Sequence, residues 1–137
     1  MRRYILLGLV LVAVTVAGCT SNQTPENPEP AINASEDNVV IYNQSGFFPQ
    51  TITIQKGETV TWKSQGPRMW VASDVHPTHT EYAGTRLSQH CGNAETADER
   101  FDACKMTQTY SFTFNKTGTW GYHNHVLSQH TGTVIVK

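Results

Sequence analysis

The chain has 137 residues, which suffices for one domain of ordinary size but not for two domains with separate cores. Its 10 Lys and Arg nearly balance its 11 Asp and Glu, and it has no basic block, which argues against a nucleic-acid-binding protein. All six histidines fall within the stretch from His76 to His130, and this clustering is the most unusual feature of the composition.

The N-terminal segment predicts a signal peptide. Two arginines are followed by an apolar run over residues 4–17, which is too short to span a bilayer comfortably. The run leads into the sequence VAGC, which resembles the lipobox at which prokaryotic lipoproteins are cleaved and acylated on the cysteine, here Cys19. An ordinary signal peptide followed by a chance cysteine, or an uncleaved anchor, is the alternative. We expect residues 1–18 to be removed and Cys19 to carry a lipid.

Residues 19–37 predict a lipidated cysteine followed by a flexible linker. The segment after Cys19, TSNQTPENPEPAINASE, is polar, contains three prolines and has no hydrophobic period. Such a segment buries too little apolar surface to order itself. We therefore expect an exported protein that is anchored to a membrane through its lipid and faces the periplasm or the cell exterior. Its folded domain should cover residues 38–137.

The remainder of the chain predicts an all-β domain. Each candidate strand is rich in β-branched and aromatic residues or alternates polar and apolar side chains. These strands cover residues 39–42, 51–55, 59–63, 110–114, 119–123 and 131–137. Turn residues separate several of them, and no helical period of useful length occurs, so the pattern indicates a β-sandwich. The long interval 64–107 holds three histidines and two cysteines, and a loop of that length is usually functional.

The two cysteines of this interval, Cys91 and Cys104, predict a disulfide. Two cysteines in an exported protein usually pair, and the polar segment between them is typical of a loop. In the alternative interpretation one of them is a metal thiolate. Neither cysteine lies in a histidine-bearing motif, although His90 adjoins Cys91, so we assign His90 to the disulfide loop.

Two pairs of histidines form a candidate metal site. His123 and His125 lie two residues apart at the end of a predicted strand and therefore share a face, while His76 and His79 lie in the long interval. Neutral imidazoles suit copper, zinc and nickel, and two pairs could supply three or four nitrogens. His130 is a candidate for a further ligand. Each pair alone could instead consist of ordinary solvent-exposed histidines that bind no metal.

Two long segments resemble the cupredoxins, the small copper proteins that include plastocyanin and amicyanin. The first is GFFPQTITIQKGETVTW at 46–62. The second runs from YSFTF at 110–114 through GTW at 118–120 to GTVIV at 132–136. The order and spacing of these segments imply a cupredoxin-like Greek-key β-sandwich over 39–137, with a long disulfide-closed loop. In this family the middle loop and the last loop meet at the metal end of the fold.

The same resemblance implies that the family's blue-copper site is absent. The first family histidine would fall at Trp70, the cysteine at Tyr122 or Asn124, and the methionine near His130. Only His125 can fill a family ligand position. Because a blue-copper centre depends on a Cys sulfur bonded to copper, we expect a site without thiolate.

A second resemblance concerns the segment GTWGYHNH at 118–125, which is similar to the His-x-His segment of multicopper oxidases. In those enzymes both histidines bind copper, in a cluster shared between cupredoxin domains. The resemblance implies that His123 and His125 are copper ligands. The meeting of the loops at the metal end implies that His76 and His79 reach them.

These patterns together predict a membrane-anchored, extracytoplasmic copper-binding protein. Copper handling is favoured over electron transfer, because imidazole-only sites generally favour Cu(II) and reorganise on reduction. A redox or copper-delivery protein is the expected partner besides the membrane. The alternatives are a metal-free structural or interaction domain, a zinc-binding domain and a mononuclear copper enzyme subunit. No nucleophile and base are placed together, which favours a protein that is not an enzyme.

Overall fold

A computed structural model of the protein describes residues 38–92 and 99–137. The predicted signal peptide, Cys19 and the linker lie outside the described residues. Within the described part, no helix combines the length and apolar character that crossing a membrane requires.

The described residues form eight strands and one short helix. The strands are β1 (Val39–Asn43), β2 (Gly46–Phe48), β3 (Thr51–Ile54), β4 (Thr59–Ser64), β5 (Val71–Ser73), β6 (Thr109–Thr113), β7 (Gly118–Asn124) and β8 (Leu127–Val136), and the helix is α1 (Leu87–His90). They build two four-stranded sheets, β2-β1-β4-β6 and β3-β8-β7-β5. β1 and β4 are parallel, as are β3 and β8, and all other neighbours are antiparallel. The predicted all-β sandwich is therefore confirmed.

Every strand predicted from the sequence is present, with ends that differ by a few residues. β8 begins four residues earlier than expected, at Leu127. β2, β5 and α1 were not predicted, because three or four residues are too few to establish a period. Since β5 and α1 both lie within 64–107, this interval is not a single loop.

Alternating side chains of the strands fill the space between the sheets. In β4, Val60 and Trp62 are completely buried while Thr59 and Lys63 are exposed. The Trp62 ring lies 5.3 Å from the ring of Tyr122, centroid to centroid. Each large apolar side chain that is buried contributes about 1.5–3 kcal/mol to the free energy of unfolding, so these residues supply much of the stability.

Strand β5 pairs on its two sides with parts of the chain that are distant from each other in sequence. On one side it pairs with β7, with Ala72 opposite His123. On the other side it pairs with residues 101–103: the Ser73 amide donates to the Phe101 carbonyl, and Ala72 lies opposite Asp102. His123 and Asp102 therefore lie on the two segments that pair with β5, one on each side of Ala72.

The predicted disulfide is confirmed. Cys91 follows α1 directly, and Cys104 follows the segment that pairs with β5, with Cα atoms 5.3 Å apart. The bond ties the helix to the same region that β5 organises.

Candidate metal centre

Four histidines from two regions meet at one end of the sandwich. His123 lies near the end of β7 and His125 in the turn after it, while His76 and His79 lie in the segment after β5. One ring nitrogen from each lies within 4.8 Å of the corresponding nitrogen of every other. We call this set the four-histidine cluster.

The nitrogens of the four-histidine cluster approach one another in two close pairs. Nδ1 of His125 lies 2.9 Å from Nε2 of His79, and Nδ1 of His76 lies 3.2 Å from Nε2 of His123. Metal–nitrogen bonds of about 2.0 Å would place neighbouring ligand nitrogens roughly 3 Å apart. The spacing in each pair therefore fits ligation of one metal ion.

His79 is fixed by a buried carboxylate. Its Nδ1 atom donates to Oδ2 of Asp102 across 2.6 Å, and the side chains are 0% and 1% exposed. Because a neutral imidazole carries one hydrogen, this contact leaves Nε2 with its lone pair directed into the four-histidine cluster. Metal-binding histidines commonly make such a contact to a carboxylate on the nitrogen away from the metal.

His123 repeats this arrangement with a different acid. Its Nδ1 lies 2.9 Å from Oδ1 of Asp74, so its Nε2 also faces the cluster. The Asp74 side chain is 40% exposed, unlike that of Asp102. Its position is supported by the backbone, since the Asp74 amide donates to the Gly121 carbonyl on β7. The two buried ligand candidates are thus both held in the tautomer that metal binding needs.

The backbone around His79 is held in an uncommon conformation. Its φ angle is 57°, in the left-handed region that residues other than glycine rarely occupy. The Ser73 hydroxyl donates to its carbonyl, and its own amide donates to the Val75 carbonyl. Such conformations persist where surrounding contacts over-determine them, and they are frequent at functional sites.

Asp102 receives hydrogen bonds on both carboxylate oxygens. Oδ2 accepts from His79 and from Nε2 of His90, and Oδ1 accepts from the indole of Trp70 and the backbone amide of Cys104. Burial alone would raise the pKa of Asp102, but these hydrogen bonds outweigh it and hold the pKa below its usual range. The carboxylate therefore stays negative and can balance a bound cation.

Trp70 covers one side of the four-histidine cluster. Its ring lies 4.3 Å from the ring of His125, and its backbone carbonyl accepts the His125 amide. Burial, followed by the neighbouring histidines, lowers the pKa of His125, which favours the neutral imidazole that binds metals.

The remaining predicted residues lie elsewhere. His130 stands outside the cluster, and its Nδ1 lies 3.1 Å from the Tyr42 hydroxyl. Asn124 accepts a hydrogen bond from the Trp70 amide and donates one to Tyr42. Asp102 was missed; its only sequence signal is an acid placed directly after an aromatic residue and close to a cysteine.

Solved structures with a similar fold include cupredoxins. A purple cupredoxin from Nitrosopumilus maritimus matches with a TM-score of 0.53 and 15% identity, over 74% of this chain and 100% of that one. Amicyanin from Paracoccus versutus matches with a TM-score of 0.52 and 21% identity, over 78% of this chain and 87% of that one. A reduced Cu(I) form of an amicyanin mutant at pH 4 matches with a TM-score of 0.52 and 20% identity, over 78% and 88%.

No protein-family model matches the sequence, and no curated protein matches it. The similarity is therefore one of three-dimensional structure, and in these matches it extends over 74–78% of this chain. The domain has the cupredoxin fold.

Proposed function

We propose that the protein binds a copper ion through the four-histidine cluster, without a thiolate ligand, and handles copper outside the cytoplasm. The observation that carries this proposal is the convergence of four imidazole nitrogens within 4.8 Å, two of them backed by carboxylates. A chance group of surface histidines would have no reason to share this support.

Copper suits the donor set. All four candidate ligands are imidazoles, which bind copper well, and the fold is shared with copper proteins. The two cysteines of the described residues are joined to each other, so neither supplies the thiolate of a blue-copper centre. The expected species is therefore a weakly coloured Cu(II) complex with nitrogen ligands.

The unequal burial of the ligands favours copper handling over electron transfer. His79 and His123 are buried, His125 is half-buried and His76 is exposed. An exposed ligand can be replaced by a donor from another protein while the buried pair keeps hold of the ion. This arrangement suits stepwise transfer of copper to or from a partner protein.

The location of the activity rests on the N-terminal sequence. The predicted signal peptide and lipid on Cys19 support attachment to a membrane, with the domain facing the periplasm or the cell exterior. The disulfide supports the same proposal, because such bonds persist in oxidising compartments.

The test is a comparison of Cu(II) binding by the purified protein and by a His123→Ala/His125→Ala variant. Titration should give one tightly bound Cu(II) per chain, and the electron paramagnetic resonance spectrum should show couplings to several nitrogens. Both features should be lost in the double variant.

A His130→Ala variant serves as the matched control, because His130 is also half-buried but lies outside the four-histidine cluster. It should bind copper as the native protein does. Intense blue colour would contradict the thiolate-free site. Failure to bind stoichiometric copper would leave a metal-free cupredoxin-like domain, and a strong preference for zinc over copper would also contradict the proposal.

A further inference from the structure

A second group of side chains that could hold a metal ion lies next to the four-histidine cluster, and Asp102 connects the two groups. It comprises His90, Cys91, Asp102 and Cys104, and one donor atom from each lies within 4.8 Å of the others. We call this group the cysteine cluster. In the oxidised protein its two sulfurs are bonded to each other.

His90 is oriented as metal-binding histidines are. Its Nδ1 lies 3.0 Å from the Thr85 carbonyl and 3.2 Å from the Thr85 hydroxyl, so Thr85 can accept a hydrogen from this nitrogen or donate one to it. Its Nε2 points into the cysteine cluster and donates to Oδ2 of Asp102 across 3.1 Å in the oxidised protein. For this nitrogen to bind a metal, the hydrogen moves to Nδ1, where the Thr85 carbonyl accepts it. A hydrogen bond from the outer nitrogen to a backbone carbonyl is the usual way in which proteins orient a ligand imidazole.

The location of His90 also distinguishes it from a surface histidine. The residue is 2% exposed and ends α1, immediately before Cys91. Both cysteines are half-buried, so a reductant can reach the bond between them. The donor set is consequently assembled at the boundary between the interior and the solvent.

We propose that reduction of the Cys91–Cys104 disulfide opens a second metal site, for a zinc-class divalent ion, in the cysteine cluster. Two thiolates and one imidazole are the ligands, and the Asp102 carboxylate is the fourth donor. This combination of sulfur and nitrogen donors is typical of zinc sites. The inference does not depend on copper binding at the four-histidine cluster.

The reaction has two balanced steps. A dithiol reductant gives two electrons and two protons to the disulfide, which becomes two Cys thiols while the reductant becomes a disulfide. The divalent ion then replaces the protons of the two thiols, which leave to solvent as the metal–sulfur bonds form. The metal site therefore exists only in the reduced protein.

Asp102 connects the two metal sites. The same oxygen, Oδ2, accepts from His79 of the four-histidine cluster and from His90 of the cysteine cluster. A cation bound on the His90 side would draw electron density from this carboxylate and weaken its support of His79. This coupling, unlike the second site itself, rests on the proposed function: with copper bound at the four-histidine cluster, metal binding at the cysteine cluster should loosen it.

Cobalt(II) is the probe for the test, because its absorption reports thiolate ligands directly. The full-length protein would be titrated anaerobically before and after treatment with a phosphine reductant that is then removed. We expect the reduced protein to bind one more cobalt than the oxidised protein, with a new thiolate-to-cobalt band that added zinc abolishes. Far-ultraviolet circular dichroism would be recorded on the same samples.

Three variants separate the possible outcomes. A Cys91→Ser/Cys104→Ser variant should bind no additional cobalt after treatment with the reductant and should show no thiolate band. In a His90→Asn variant the affinity of the reduced protein for cobalt should fall by at least about tenfold. If two thiolates of an unfolded chain bound the cobalt instead, this substitution would leave the affinity unchanged. A His123→Ala/His125→Ala variant should still gain the thiolate band on reduction, so failure of copper binding leaves this inference intact.

The proposal is overturned if the reduced native protein binds no additional cobalt, or if the additional cobalt shows no thiolate band. It is also overturned if the band is the same in the His90→Asn variant, or if the reduced chain loses its sheet spectrum when the band appears.

Discussion

The imidazole of His79 and the carboxylate of Asp102 form a hydrogen bond of 2.6 Å between two side chains that are almost completely buried. The residues are 23 positions apart and are brought together because residues 101–103 pair with β5. Asp102 also contacts His90, Trp70 and the Cys104 amide, so it connects the four-histidine cluster with Trp70 and with the disulfide region. In the proposed copper site the carboxylate of Asp102 orients His79 and is not itself a ligand.

Substitution of Asp102 by Asn should weaken copper binding by about 10- to 100-fold, the usual effect of losing a carboxylate that hydrogen-bonds to a metal-binding histidine. The amide is neutral and can no longer balance the charge of the ion through His79. The measurement is a competition titration of Cu(II) against a chelator of known affinity, with the melting temperature recorded on the same preparation.

An Asp74→Asn variant is the matched control for this prediction. Asp74 supports His123 in the same way but is 40% exposed, so water screens its charge and the loss should be smaller. Equal copper affinity in the native protein and the Asp102→Asn variant would contradict the role assigned to the buried carboxylate.

Substitution of Gly121 by Ala should weaken copper binding although Gly121 is not a ligand. A Cβ atom at this position of β7 would overlap the carboxylate of Asp74 and lie 3.3 Å from a carboxylate oxygen of Glu81. The carboxylate would have to leave its hydrogen bond with His123. We expect a loss of copper affinity similar to that of the Asp74→Asn variant.

Gly66→Ala provides the control, because a Cβ atom there meets no atom within 4 Å. It should bind copper as the native protein does. If the Gly121→Ala variant also kept native affinity and native stability, the packing of Asp74 against β7 could not be what orients His123.

Trp70 should report copper binding through its fluorescence. Its ring lies 4.3 Å from that of His125, whereas Trp62 is in the core and Trp120 packs 4.8 Å from Tyr82. Paramagnetic Cu(II) bound at His125 should quench Trp70 most strongly. A Trp70→Phe variant saturated with Cu(II) should therefore lose a smaller fraction of its emission than the native protein, and filled-shell Zn(II) should quench neither. An equal fractional loss in the two proteins would mean that the ion binds away from Trp70.

Much of the fold could be predicted because its signals are local. The alternation of Val60 and Trp62 in β4 repeats every second residue, which is the geometry of a half-buried strand. Strand β5 has only three residues, all buried, and its identity depends on pairing with β7 and with residues 101–103. No local pattern encodes such pairing, so this part of the chain appeared in the sequence as a loop.

The residues of the candidate site also differ in whether a local sequence signal predicts them. Each histidine pair could be predicted because its two members lie close together in sequence. Asp102 could not, since its contact with His79 is created by tertiary pairing and its neighbours carry no motif. His130 was proposed as a ligand although it is not part of the cluster. It lies only five residues after His125, but it belongs to β8, which places it beside Tyr42.

Substitution of Gly132 by Ala tests the packing that sets β8 against β7. Gly132 lies opposite Tyr122, and a Cβ atom there would overlap the Tyr122 ring, which is completely buried between the sheets. Movement of the ring is opposed by Trp62 and Phe47, which pack against it with centroids 5.3 and 5.0 Å away. Relief of the overlap must shift the two strands, and overpacking of this kind costs about 1–3 kcal/mol of unfolding free energy.

The measurement is chemical denaturation of the metal-free protein, in which the midpoint should fall for Gly132→Ala but not for Gly66→Ala. Because Tyr122 immediately precedes His123, displacement of β7 should also lower the affinity for copper. A Gly132→Ala variant with native stability would show that Tyr122 can adopt another rotamer, and the close approach of the two strands would then not be needed to position His123.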